Sequence, residues 1–203
     1  MHRLTCFASV LSLCVVLCAG VGAQAQELSF APAKGMFLVA APRLIDPNFS
    51  KTVVLLLEAN ESGALGLVVN RPSTVTLGRA FTIFGQTPIA EHPVHYGGPL
   101  EPRQVYVLLR TATPLEGTQR IRGDIYVTTK VNALWRAKDE HWGANRWRAI
   151  AGYAGWAPRQ LQGEIERGDW RVLPADEHSL FEVPTLAMWT ELWRQLDGLW
   201  VDG

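Results

Sequence analysis

Residues 35–72, GMFLVAAPRLIDPNFSKTVVLLLEANESGALGLVVNRP, contain the two apolar runs whose reading decides the fold. The first covers residues 52–58 (TVVLLLE) and the second residues 64–70 (ALGLVVN). Runs of this length, rich in Val and Leu and closed by turn-forming residues, belong to strands rather than helices. The break between them, Ala59-Asn60-Glu61-Ser62-Gly63, has a hairpin's length, so the strands are expected to pair antiparallel. Neither run alternates apolar with polar side chains. A half-solvated strand would alternate, so both faces of this hairpin are expected to be covered.

Antiparallel pairing sets the start of the first strand beside the end of the second. It brings residues 46–51 (DPNFSK) next to Asn70-Arg71-Pro72 and makes neighbours of Asp46, Asn48, Ser50, Asn70 and Arg71. Two uses suit this cluster. The fixed, forked charge of Arg71 fits a carboxylate or phosphate, with Asn48, Ser50 and Asn70 as neutral hydrogen bonders around a small polar or anionic ligand. Asp46-Pro47-Asn48 is also turn chemistry in its own right, and an Asp46–Arg71 pair would tie the loop to the hairpin.

Residues 1–25 read as an export leader. Arg3 supplies a short positive region, residues 4–19 are apolar, and Ala23-Gln24-Ala25 fits the small-x-small cleavage rule. The alternative is an uncleaved inner-membrane anchor, because the apolar run borders on spanning length. Lipoprotein processing at Cys18 is disfavoured by the bulky Leu17 before it. Cys6, Cys14 and Cys18 all fall in the leader, so residues 26–203 contain no thiol and no disulfide. The expected location is periplasmic or secreted, with no stable membrane insertion after cleavage. Losing Arg3 leaves 18 basic and 19 acidic residues, a balance with no general attraction for nucleic acid. Residues 26–203 suit one domain with a sizeable core.

Around the hairpin, residues 36–40 (MFLVA) read as a strand that Pro42 ends. Thr76 is placed to cap a short helix over 77–84, closed by Gly85. Strands are expected at 94–97, 105–110, 124–128, 147–153 and 170–173. Helices are expected at 131–138, at 158–167 between Pro158 and Gly168, and at 184–197. In the last, Leu186, Trp189, Trp193 and Leu196 recur at spacings of three and four. All eight tryptophans lie beyond residue 130, which points to helices packing on the sheet in the second half of the core. The order of elements lacks a strict βαβα alternation. The fold class is therefore mixed α/β (α+β), with a largely antiparallel central sheet and flanking helices.

A second polar stretch is His95-Tyr96-Gly97-Gly98-Pro99. Gly97 and Gly98 either let backbone amides approach a ligand or permit a tight turn. His95 is either a turn histidine, surface or half-buried, or a general base near neutral pH. The spacing and Lys of a phosphate loop are missing, as are a nucleophile elbow and a metal-ligand set. His92, His95, His141 and His178 are scattered. No catalytic residue, metal or cofactor is assigned. The leading expectation is a non-enzymatic exported domain that binds a small ligand or a protein partner. The alternative is a hydrolase or transferase that uses the hairpin-base cluster with His95 nearby.

Several separate blocks also occur in a family order: G-x-F-L-V-A-x-P, D-P-N-F-S-x-T-V-V-L, G-A-x-G-L-V-V-N-R-P, then Pro93-Val94-His95-Tyr96-Gly97-Gly98-Pro99 and Gly152-Tyr153-Ala154-Gly155-Trp156. In these the chain, from Gly35 to about Trp200, resembles the YqgE/AlgH family of bacterial proteins. The resemblance implies a curled, barrel-like sheet with flanking helices. It also implies an association with transcriptional regulation of exopolysaccharide, suggested for one branch. Typical members begin near the equivalent of Gly35, so the leader is this chain's main departure.

Overall fold

The computed structural model describes residues 30–143 and 145–198. The leader and its three cysteines lie outside the described residues. Among the described residues, ten strands form one curled, largely antiparallel sheet, with five α-helices around it. Along the first half of the sheet, β1 (Met36–Ala40) lies between β10 (Trp170–Pro174) and β2 (Val53–Asn60), and β2 pairs β3 (Gly63–Val68). The long β9 (Trp147–Trp156) follows β3. The second half is β6 (Leu100–Arg110), β8 (Ile125–Thr128) and β7 (Gln119–Arg122). One short arm leaves this path. β4 (Pro72–Thr76) pairs β5 (Pro93–Tyr96), and β5 runs parallel to β9 at His95↔Ile150 and Tyr96↔Ala151.

The central hairpin is covered on both faces, as its sequence requires. Phe37, Val39, Val53, Leu55, Leu57, Leu67 and Val69 join one buried cluster, under α4 (Glu177–Phe181) and α5 (Met188–Gly198). Met36, Leu38, Val54, Leu56 and Val68 join another, under α3 (Gln160–Glu166). Successive strand side chains point to opposite faces, so consecutive apolar residues feed two cores at once. A third cluster lies under the far half of the sheet, where α1 (Leu77–Ala80) and α2 (Ala133–Asp139) contribute Leu77, Leu134 and Ala137.

Several boundaries differ from expectation for local reasons. The hairpin turn is two residues, Glu61-Ser62. The Asn60 side chain accepts from Ser62 N–H at 2.8 Å and closes the turn, which frees Ala59, Asn60 and Gly63 to pair. A bulge at Leu57 lets Glu58 and Leu65 regain register. Thr76 makes no side-chain cap, and the expected 77–84 helix divides at Phe81 into α1 and a 3-10 turn, Thr82–Phe84. The helix expected from residue 184 begins at Met188, and Leu186 is exposed. β4, β7 and α4 have no apolar run to announce them, being exposed, edge-lying or five residues long.

Candidate functional site

Antiparallel pairing does gather the hairpin-base cluster, and none of its buried side-chain polar atoms lacks a partner. Asn70 is buried. Its Oδ1 accepts from Val53 N–H at 2.8 Å and its Nδ2 donates to the Lys51 carbonyl at 3.0 Å. Arg71 donates from Nη1 to the Pro47 and Asn48 carbonyls, at 3.0 and 2.7 Å, and from Nη2 to the Ser50 carbonyl at 2.9 Å. Asp46 accepts from Asn48 N–H at 2.7 Å through Oδ1, and its carbonyl receives the Phe49 and Ser50 amides. Asp46 acts on Arg71 through its charge, without a direct ion pair. Phe49 anchors the same loop from the other side, edge-on to Trp170 with ring centroids 5.7 Å apart. Arg71 thus acts as a clamp on the 46–51 loop.

Gly97 and Gly98 serve the sheet. The Gly97 amide donates to the Ala151 carbonyl and its carbonyl accepts from Val68 N–H. A Cβ at Gly97 would stand 2.3 Å from the Gly152 carbonyl oxygen. The glycines let two backbones approach where β5 joins β9, and the Gly97 amide is committed to that junction.

Beyond Arg71 the chain enters β4, and Pro72 stands opposite His95 on β5. Here the polar groups are not satisfied. His95 is buried, not at the surface or half-buried as its turn-like context suggests, and neither Nδ1 nor Nε2 has a hydrogen-bond partner. The Ala149 and Pro93 carbonyls approach closely enough to favour the charged ring slightly, but neither makes a hydrogen bond. Burial, together with the charge of Arg148, pulls the His95 pKa down to about 3. The ring is therefore neutral at physiological pH and a poor general base.

Arg148 is the neighbouring cation. It lies on β9 opposite Leu108 and is 7% exposed. Nη1 donates to the Val69 carbonyl at 2.7 Å. Among the described residues no carboxylate pairs with it. Burial alone lowers its pKa, to about 10, so it stays charged near neutrality. The adjacent Trp147 is 3% exposed, and its Nε1–H is likewise without a partner. Other indoles find acceptors: Trp156 and Trp170 both donate to Glu164, Trp142 to Glu140 and Trp189 to the Ala40 carbonyl.

His95, Trp147 and Arg148 line a recess of about 160 Å³ together with Pro72, His92, Pro93 and Thr185, and the His95 and Trp147 nitrogens are buried beneath its surface. That space holds several water molecules or one small oxyanion. His92 lies against Trp147 with ring centroids 4.8 Å apart. Wider depressions of about 560 and 650 Å³ occur elsewhere. In the first, Arg136 pairs with Glu140 and Arg146 covers Trp142. The small recess differs in gathering a buried cation with polar atoms that lack partners.

Of the residues singled out from sequence, His95 lies at this recess. Asp46, Asn48, Ser50, Asn70 and Arg71 lie together at the loop clamp, one residue along the chain from Pro72. Arg148 and Trp147 were missed. Their signal was a lone cation inside the apolar strand sequence Trp147-Arg148-Ala149-Ile150-Ala151.

Residues 37–200 match a family model described as AlgH-like. A UPF0301 protein of Ralstonia nicotianae is 40% identical over 152 residues, covering 73% of this chain and 80% of that protein. A UPF0301 protein of Magnetococcus marinus is 34% identical over 172 residues, covering 83% and 91%. Among solved structures, the AlgH protein of Pseudomonas aeruginosa superposes with a TM-score of 0.66 at 30% identity, covering 81% of this chain and 88% of that one. A Corynebacterium diphtheriae protein superposes with a TM-score of 0.70 at 26% identity, covering 85% and 94%. With the curled antiparallel sheet already in place, these matches settle the family: this chain belongs to the AlgH-like proteins.

Proposed function

We propose that this protein is an exported, non-enzymatic member of the family that binds a small anion at Arg148, in the recess that this residue lines with His95 and Trp147. The observation that carries the reading is the buried Arg148 guanidinium, which has a carbonyl for a partner and no carboxylate. Burying a charge without an opposite charge costs several kcal/mol, roughly, and an anion in the recess would offset much of that cost. Arg71, the cation favoured on sequence grounds, serves the loop, and Arg148 takes the ligand-binding role.

Binding is preferred to catalysis because His95 is too weak a base to be useful near neutrality. The recess lining also brings no carboxylate to substitute for it. A regulatory role, by resemblance to one branch of the family, would act through ligand occupancy and not through direct DNA contact.

The test is calorimetric titration of residues 26–203 with inorganic phosphate, sulfate and acetate. One-site saturable binding of at least one anion, lost in Arg148→Gln, is expected. Absence of binding by all three, or binding unchanged by Arg148→Gln, would overturn the site.

A further inference from the structure

Resting on that anion-site reading, we infer that His92 is the site's second, proton-dependent arm: an anion held at Arg148 binds together with a proton on the His92 ring. Both residues line the recess. Nη1 of Arg148 is spent on the Val69 carbonyl, and its other nitrogens are not among the buried atoms that lack a partner, so they reach the surface. The same holds for His92. Its ring is half-buried, and Nδ1 lies 3.3 Å from the Ile89 carbonyl. Nε2 makes no hydrogen bond, yet it is not one of the buried nitrogens without a partner. It is therefore accessible, unlike the nitrogens of His95 and Trp147.

A carbonyl only accepts, so Nδ1 of His92 carries the hydrogen that points at Ile89, and Nε2 of the neutral ring is an acceptor. That lone pair repels an oxyanion. Protonation makes Nε2 a donor and adds a positive charge, and imidazole is the side chain whose charge ordinarily changes between about pH 5 and 8. In the empty recess the fixed charge of Arg148 opposes a second cation. An anion reverses that balance, and proton and anion then favour each other by the same factor. The other charged and titratable groups on the elements around His92 do not compete for this role. His95 on β5 is buried and stays neutral over this range. Glu91 precedes His92 in the chain, Arg146 precedes Trp147, and Arg79 lies on α1, whose Leu77 amide donates to the His92 carbonyl. All three are exposed, and none lines the recess. In the segment before α5, Glu182 is held by Arg110 and His178.

The experiment is calorimetric titration of residues 26–203 with sulfate, whose own charge is constant over the range used, at about pH 5.5 and about pH 8 and at constant ionic strength. Binding roughly tenfold tighter or more at the lower pH is expected. Near neutral pH, buffers of different ionisation enthalpy should reveal net proton uptake by the wild type on binding, a readout that needs no variant. In His92→Gln the affinity at low pH should fall, and both the pH dependence and the proton uptake should disappear. A wild-type affinity that ignores pH, binding without proton uptake, or a pH dependence that survives His92→Gln would overturn the inference while leaving the anion site standing. Sulfate bound at neither pH would also overturn the inference, and failure of phosphate and acetate as well would overturn the anion site with it.

Discussion

The Arg148 guanidinium donates to the Val69 carbonyl at 2.7 Å, which ties β9 to the strand end that leads into the loop clamp. Asn70 and Arg71 follow immediately, and both hold the 46–51 loop. Two arginines therefore serve one turn of chain in different ways. Arg71 meets three carbonyls and is satisfied. Arg148 meets one and remains an uncompensated charge in the interior.

Replacing Arg148 with Met should therefore stabilise the protein. The substitution removes a desolvated charge and leaves the Val69 carbonyl without its donor. Buried charges exchanged for apolar groups of similar volume are often neutral to stabilising by ~1–4 kcal/mol, and about 1–2 kcal/mol is expected after the lost hydrogen bond. Chemical denaturation without added anions measures it. A functional charge that lowers stability is the usual trade-off at binding sites, and destabilisation by Met would mark Arg148 as structural.

Arg71→Ala should do the opposite. Three hydrogen bonds from a charged donor to carbonyls are lost, and roughly 2–4 kcal/mol of stability with them. Arg71→Lys should recover only part, since an ammonium lacks the fork that reaches three oxygens. Anion binding at Arg148 should persist in both variants under conditions where they remain folded. Loss of binding with unchanged stability would return the ligand to the hairpin base.

His95 gives a pH dependence of known sign. Its folded pKa, about 3, lies below its ordinary 6.5, so between these values the unfolded chain binds the extra proton. Stability is full above pH 6.5 and falls as pH drops toward 3, by up to about 5 kcal/mol over the window. The difference between wild type and His95→Gln isolates this contribution. The variant should show a shallower loss of stability on acidification. Parallel curves would mean that His95 titrates normally.

Export is tested by intact mass. Protein from separated periplasmic and cytoplasmic fractions should be found as a species beginning at Gln26, in the periplasm. Full-length protein in the cytoplasm would contradict the leader reading and favour an intracellular role.

The fold was legible where the sequence speaks in long apolar runs. The 52–58 and 64–70 runs named the central hairpin and its two covered faces, and 36–40 matched β1 residue for residue. Signals failed where pairing depends on exposed edges, as in β4 and β7. They also failed where one strand serves many partners: β9 reaches Trp156, beyond the 147–153 expected, through the Gly-Tyr-Ala-Gly-Trp stretch. Gly152, at φ +77°, lets that strand pass close to the Gly98 carbonyl, a contact no local pattern reveals. At the site, topology correctly gathered Asp46, Asn48, Ser50, Asn70 and Arg71. Hydrogen-bond satisfaction, which separates a clamp from a binding group, required coordinates. His95 was noticed for its chemistry, whereas Arg148 passed as one residue of a strand.

The most direct measurement follows the Trp147 indole N–H by heteronuclear NMR while phosphate is added to residues 26–203. Because Trp147 lines the recess beside Arg148, this resonance, assigned by its loss in Trp147→Phe, should shift to a saturating limit in the wild type and stay fixed in Arg148→Met. An indole resonance that ignores phosphate up to millimolar concentration in the wild type would contradict anion binding in this recess.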